Sequence, residues 1–330
     1  MWRWLSGLVL IAVLSIVAVH FKMQQMVQQP LAISHTQLFT LNKGSSYSSL
    51  LRHAEQQQWI ASSWPYKLYG KLNPGVTRVK AGTYQLSPEL SFEQLLTMLV
   101  SGKEYQFKIT FVEGTTFKEW LALLANNPHL EQTITAKNWL QLQPHFPDVT
   151  HPEGMFFPDT YKFTKGTSDL SILQQANQRM RQELADSWQQ RAEDLPYESP
   201  YQALIMASII EKETAVLAEQ PLISAVFVNR LRKGMRLQTD PTIIYGLGER
   251  YTGDITYANI REKTAYNTYQ INGLPPTPIA MPGKTALDAS VNPASSDYLY
   301  FVSKGNGEHI FSKNLADHNR AVDKYQRGKP

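Results

Sequence analysis

The sequence predicts a mixed α+β protein carried behind one N-terminal membrane helix. Three observations predict it. An uncharged run of eighteen residues, Trp4 to Phe21, lies between Arg3 and Lys22. Strand-like and helix-like periods alternate through most of the remaining chain. The 330 residues are 42% hydrophobic and 18% charged, the balance of a folded chain with room for about two cores. The composition also excludes several classes. With 18 Gly and 19 Pro the chain is neither collagen-like nor low in complexity, and with no cysteine it has no disulfides, thiolate metal sites or cysteine nucleophile. A formal net charge of +4, without a block of consecutive Lys and Arg, gives no nucleic-acid signature.

The run WLSGLVLIAVLSIVAVHF is long enough, as a helix, to cross nearly all of a hydrocarbon core. Its end, Ile16 to Phe21, offers no small-x-small cleavage site, which favours a retained anchor over a removed signal peptide. Arg3 and the terminal amine set the short leading segment in the cytoplasm and the body outside it. Trp2, Trp4 and Phe21 suit the two interfacial belts. Residues 1–25 are thus expected to be a cytoplasmic stub and transmembrane anchor.

After the Gln-rich tether, strand, turn and short helix recur about every thirty residues. Gln37–Leu41 precedes a helix carrying Tyr47, Leu50, Leu51 and Ala54; Gly82–Leu86 precedes one capped by Ser91 with Gln94 as capping-box partner; Phe107–Thr116 leads into Phe117–Leu121. Two readings stand side by side for these units, an ordinary α+β packing domain and a set of the small strand-helix modules called LysM, which they resemble in pattern and which bind N-acetylglucosamine polymers. Residues 26–105 are assigned to this LysM-like region and 106–165 to a connecting α+β segment. Within the latter, Pro and Gly punctuate 144–166, and the aromatic stretch Glu153–Tyr161 reads equally as a sugar-stacking face or a buried hinge.

Residues 166–330 form the expected mixed α+β catalytic domain. Its informative helix begins near Tyr201, with Leu204, Ala207, Ser208 and Glu211 on one stripe and Ile205, Met206, Ile209 and Ile210 widening the apolar surface. Such a helix belongs in the interior, where desolvation raises a carboxyl pKa and suits Glu211 to general acid chemistry. The alternative is a Glu211 near the helix end paired with Lys212 or Arg230. Glu213, about 200° round the helix, is expected to meet solvent or a structural partner. A second helix, Leu222–Arg232, ends at Gly234. Asp240 before Pro241 reads as an N-cap, and Tyr266, Asn267, Thr268 and Tyr269 offer the aromatic, amide and hydroxyl groups that recognise sugars. Tyr298–Val302, a turn at Lys304–Gly307 and His309–Phe311 form a hairpin before a terminal helix from Asn314. Nucleophile-elbow, zincin and P-loop motifs do not occur, and the eight His are dispersed.

Five ordered segments, Ala207–Thr214, Val228–Leu231, Met235–Thr242, Tyr266–Tyr269 and Gly273–Pro276, resemble the endolytic murein transglycosylases of the MltG (YceG-like) family, with no departure at the motif positions. Lys80–Tyr84 and Phe157–Thr160 extend the likeness upstream. The resemblance implies a single-pass inner-membrane protein with its catalytic domain in the periplasm. It implies a lyase that cuts between N-acetylmuramic acid and N-acetylglucosamine within glycan strands, leaves 1,6-anhydro ends and ends strand growth. It places the catalytic glutamate on Glu211, and the substrate contacts are expected from Ser208, Gln238, Thr239, Asp240 and Tyr266–Tyr269. No metal or organic cofactor is called for. Partners are the glycan strands, the bilayer and, prospectively, peptidoglycan synthases. Two competing functions remain open, an inverting muramidase in which Asp240 activates water, and a non-catalytic wall-binding scaffold.

Overall fold

The computed structural model describes residues 2–134 and 139–328. They divide into two compact units, one built from the chain up to Phe107 with Lys162–Gly166, the other from Lys108–Tyr161 and the chain from Thr167 onward. Of the segment 106–165, residues 108–161 fall in the second unit and 106–107 and 162–165 in the first.

The first unit starts with helix α1 (Trp2–Gln28). Its Trp4–Gln28 stretch is long and apolar enough to cross a membrane. Toward its end it packs into the unit, through the buried Met23 and Val27. Strand β1 (Gln37–Leu41), helices α2 (Tyr47–Gln56) and α3 (Trp64–Leu72), strand β2 (Gly82–Leu86) and helix α4 (Phe92–Ser101) come next. β1 and β2 pair antiparallel, from Gln37 opposite Leu86 to Leu41 opposite Gly82. The first two strand-helix repeats are thus halves of one strand-helix-helix-strand unit rather than independent modules. Phe39 and Leu41 alternate inward and pack with Leu50, Leu51 and Ala54 of α2, Tyr66 and Tyr69 of α3 and Leu95, Leu96 and Leu99 of α4. Ser91 and Gln94 form the expected capping box on α4. Helix α3 was not anticipated, because Pro65 and Gly70 interrupt its sequence; Pro65 is tolerated in the first turn.

Strand β3 (Phe107–Thr110) pairs with β4 (Thr160–Phe163). Between them lie helices α5 (Phe117–Ala125), which Thr116 and Glu119 cap reciprocally, and α6 (Trp139–Leu142). The aromatic stretch is largely buried, with Phe156 fully enclosed and its ring 5.1 Å from that of Phe117. Helices α7 (Asp169–Gln189), α8 (Pro200–Glu213) and α9 (Gln220–Arg232) succeed it, then α10 (Asp240–Leu247), α11 (Tyr257–Arg261) and α12 (Lys284–Val291). The antiparallel hairpin β5 (Tyr300–Ser303) and β6 (His309–Ser312) and helix α13 (Leu315–Tyr325), capped by Asn314, complete the described chain.

α8 is the central element of the second unit. Every residue from Ala203 to Ile210 is buried, against Met180 of α7, Ile223 and Phe227 of α9 and Leu287 and Val291 of α12. The sequence dictates this position: a helix apolar all round has no face to give to water. Ser199 starts it by accepting the Gln202 N–H, and Pro200 occupies the first turn. Its last turn, Glu211–Lys212–Glu213, is the first polar surface that the helix reaches.

Candidate active site

The last turn of α8 sends two carboxylates to opposite sides. Both stand at the negative end of a helix, where ionisation is disfavoured.

Glu213 enters a groove of about 520 Å3 within the second unit, walled by Arg230, Gln238, Thr239, Asp240, Tyr269 and Tyr300 and, from α13, by His318 and Asn319. The residue keeps partial exposure, while its carboxyl, the part that titrates, is surrounded by protein atoms. Burial pushes its pKa up to about 7, the Thr239 hydroxyl donating to Oε1 and the Arg230 charge oppose the rise, and neighbouring Asp240 adds to it. Glu213 thus meets the partner expected of it, the Thr239 hydroxyl, and it also lines a groove, which the sequence did not suggest.

The loop before α10 builds the facing wall. Gln238 sits in the left-handed region at φ 53°, and its N–H donates to Thr268 O at 3.2 Å. A non-glycine residue held there marks a backbone that its surroundings over-determine. Thr268 supplies that constraint: its Oγ1 accepts the Thr239 N–H at 3.0 Å and bonds Thr242 Oγ1 at 2.8 Å. From the other side Arg230 donates to Leu237 O (2.7 Å), Arg236 O (3.3 Å) and Leu299 O (2.7 Å), with its guanidinium 5.1 Å from the Tyr300 ring centroid. Asp240 is not an N-cap. Thr239 holds that position, α10 starts at Asp240, and Oδ1 of Asp240 accepts the Tyr269 hydroxyl at 2.8 Å.

Four of the expected substrate contacts, Gln238, Thr239, Asp240 and Tyr269, therefore share one groove with a protonatable carboxyl. The other four are used elsewhere. Ser208 is fully buried, donating to Ile205 O and accepting the Ile279 N–H. Asn267 is 1% exposed and staples a turn through the carbonyls of Asn259, Ile260 and Glu262. Thr268 is fully buried, its hydroxyl taken up by Thr239 and Thr242. The Tyr266 hydroxyl bonds Thr277, and its ring meets Tyr245. These polar groups are spent on backbone and neighbours and carry no free donor into the groove.

Glu211 lies on the other side of α8. Its Oε2 accepts the Gly283 N–H at 3.0 Å, and Glu113 occupies the space over Gly283 that a Cβ would need. Lys212 donates to Gly114 O at 3.0 Å, and Gly114 and Thr115 exchange backbone bonds with Met281. Burial raises the Glu211 pKa; the Gly283 N–H opposes this, Glu113 reinforces it and Lys212 opposes it again. The arrangement fastens the end of α8 to two loops. Sequence reasoning did not place Arg230, Tyr300, His318 and Asn319 in the groove, which they reach from separate segments.

Residues 39–324 match the YceG-like family. The endolytic murein transglycosylase of Bacillus subtilis (strain 168) is 33% identical over 300 residues, covering 86% of this chain and 82% of that protein. That of Streptococcus pneumoniae (strain D39) is 26% identical over 87% of this chain, which spans only 58% of its length. The crystal structure of a YceG-like protein from Listeria monocytogenes aligns with a TM-score of 0.52 at 32% identity, covering 87% of this chain and 99% of the other. By the extent of the match and the identity that accompanies it, the chain belongs to the YceG-like family.

Proposed function

We propose that the protein is a lytic transglycosylase that cuts peptidoglycan strands internally, with Glu213 as the carboxyl that moves the protons. One observation carries the assignment of that residue: of the two carboxyls at the end of α8, Glu213 is the one in the groove, with a pKa near 7 and sugar-recognising groups around it. We place the role there rather than on Glu211, which lies on the other side of α8 with its Oε2 accepting the Gly283 amide.

Protonated Glu213 gives its proton to the glycosidic oxygen as the bond to C1 of the muramyl sugar breaks. The resulting carboxylate then takes the proton of the C6 hydroxyl of that sugar, and O6 closes on C1 to give the 1,6-anhydro end. The proton returns to the carboxyl, no water is consumed, and one acid-base group suffices. Arg230 lies near enough to favour the ionised intermediate state of Glu213, while Thr239 orients the carboxyl. Asp240 and Tyr269, tied to each other, present acceptor and aromatic surface to the glycan. Because Asp240 lines the same groove, hydrolysis by a water activated there is the competing outcome.

The strand-helix-helix-strand unit supports the LysM-like reading, in which the first unit holds N-acetylglucosamine polymers, and α1 supports single-pass anchoring in the inner membrane with the groove on the periplasmic side. Held there, the enzyme meets strands as they emerge and ends their growth, beside the synthases that make them. Digestion of purified sacculi by the wild-type protein tests the reading by product mass. Anhydro ends support it, ends heavier by one water identify a hydrolase, and no release identifies a scaffold.

A further inference from the structure

Helix α3 presents Trp64, Leu68 and Leu72 at spacings of four, along one face. Trp64 is 64% and Leu72 56% exposed, while Tyr66, Tyr69 and Gly70 on the other side are buried in the first unit. A helix that buries one face in a soluble unit turns mainly polar residues outward, whereas α3 also turns out Trp64 and Leu72, with the half-buried Leu68 between them. This face is continuous with α1. Leu68 and Leu72 border an apolar groove of about 620 Å3 whose other wall is the segment of α1 from Ser15 to Met23, and Trp64 and Leu68 flank a smaller hollow against Lys22 and Met26. Ser15 precedes Lys22 by seven residues, about 10 Å along the helix, so the end of α3 lies beside the uncharged segment itself. Lys67 and Lys71, each adjacent to a leucine of the stripe, are exposed.

We propose that the exposed face of α3 is a second membrane contact, in which Trp64, Leu68 and Leu72 enter the headgroup and acyl boundary of the bilayer that α1 spans. The inference rests on α1 being a membrane-spanning helix. Nine residues are too few to cross a bilayer but suit a helix lying in its interface. Tryptophan favours that depth, and Lys22, Lys67 and Lys71 extend their ammonium groups to anionic headgroups while their stems stay with the acyl chains. A single helix leaves the attached unit free to turn about it, whereas a second contact fixes which side of the unit faces the lipid.

The absence of native cysteine allows single labelling sites in the full-length protein. Leu72→Cys and Trp64→Cys, with Val9→Cys to mark α1 and Asn306→Cys as a water-exposed reference, are labelled with an environment-sensitive fluorophore and reconstituted in vesicles of phosphatidylglycerol and acyl-brominated phosphatidylcholine. Quenching by the bromines at 9, 64 and 72, at least twofold stronger than at 306, is the expected result. Quenching at 9 with 64 and 72 no greater than 306 overturns the α3 contact while leaving the anchor intact. No quenching at 9 overturns the anchor and the inference together. A blue-shifted label at 72 that bromines do not quench means that protein covers the stripe, which also overturns it.

Discussion

At the residue scale the chemistry turns on two glutamates two positions apart. Glu213, near pH 7 still partly protonated, is matched to donating a proton at neutral pH. Its protonated form is the active one, so kcat/KM on isolated glycan strands is expected to fall as pH rises through about 7, a limb that a pH-rate profile measures directly. Glu153 titrates in the same range for a different reason. It is 4% exposed, accepts the Phe117 N–H and the Tyr245 hydroxyl, and burial pushes its pKa up to about 7. The folded state therefore keeps a proton that the unfolded chain sheds above the ordinary 4.5. Its contribution to stability is full below that value and is lost as pH rises through about 7. On the order of 3 kcal/mol is at stake for a shift of that size. Glu153→Gln is expected to flatten part of the fall in melting temperature between pH 5 and pH 8, read by thermal denaturation.

At the element scale the groove exists because the 236–240 loop is held open in one shape. Thr268 is central to it, since its hydroxyl satisfies the Thr239 amide behind a left-handed Gln238. Thr268→Val keeps the volume but strands that amide, a cost of about 1–3 kcal/mol. Circular-dichroism melts are expected to show the loss, and kcat to fall with it, because the wall facing Glu213 is loosened. The same division between local and distant contacts governs what is legible in the sequence. The all-round apolar pattern of α8, the helix ending at Gly234, the Ser91–Gln94 box and the C-terminal hairpin depend on neighbours in sequence, and they stand where local periodicity and capping put them. The choice between Glu211 and Glu213 does not. Helix geometry separates the two by about 200°, but only the placement of Arg230, Tyr300 and α13 decides which side is a groove. Ser208, Asn267 and Thr268 had the right groups for sugar binding, and the same groups serve buried backbone equally well. Helix α3 has no counterpart in the sequence reading, because Pro65 and Gly70 interrupt its helical pattern.

At the scale of the whole molecule, an N-terminal apolar helix precedes a strand-helix-helix-strand unit and a second unit whose core helix ends in the groove. This order is compatible with a glycan-cutting enzyme anchored by one helix, and the location of one proton donor is the central claim. The most direct test compares Glu213→Gln and Glu211→Gln with the wild type on purified peptidoglycan, after thermal melts establish that each variant is folded, with anhydro-muramyl ends counted by mass spectrometry. Glu213→Gln is expected to lose turnover by about 10²- to 10⁴-fold, the range that acid-base help supplies, while Glu211→Gln keeps producing anhydro ends. Retained cleavage by folded Glu213→Gln, with cleavage lost instead in folded Glu211→Gln, would contradict the account.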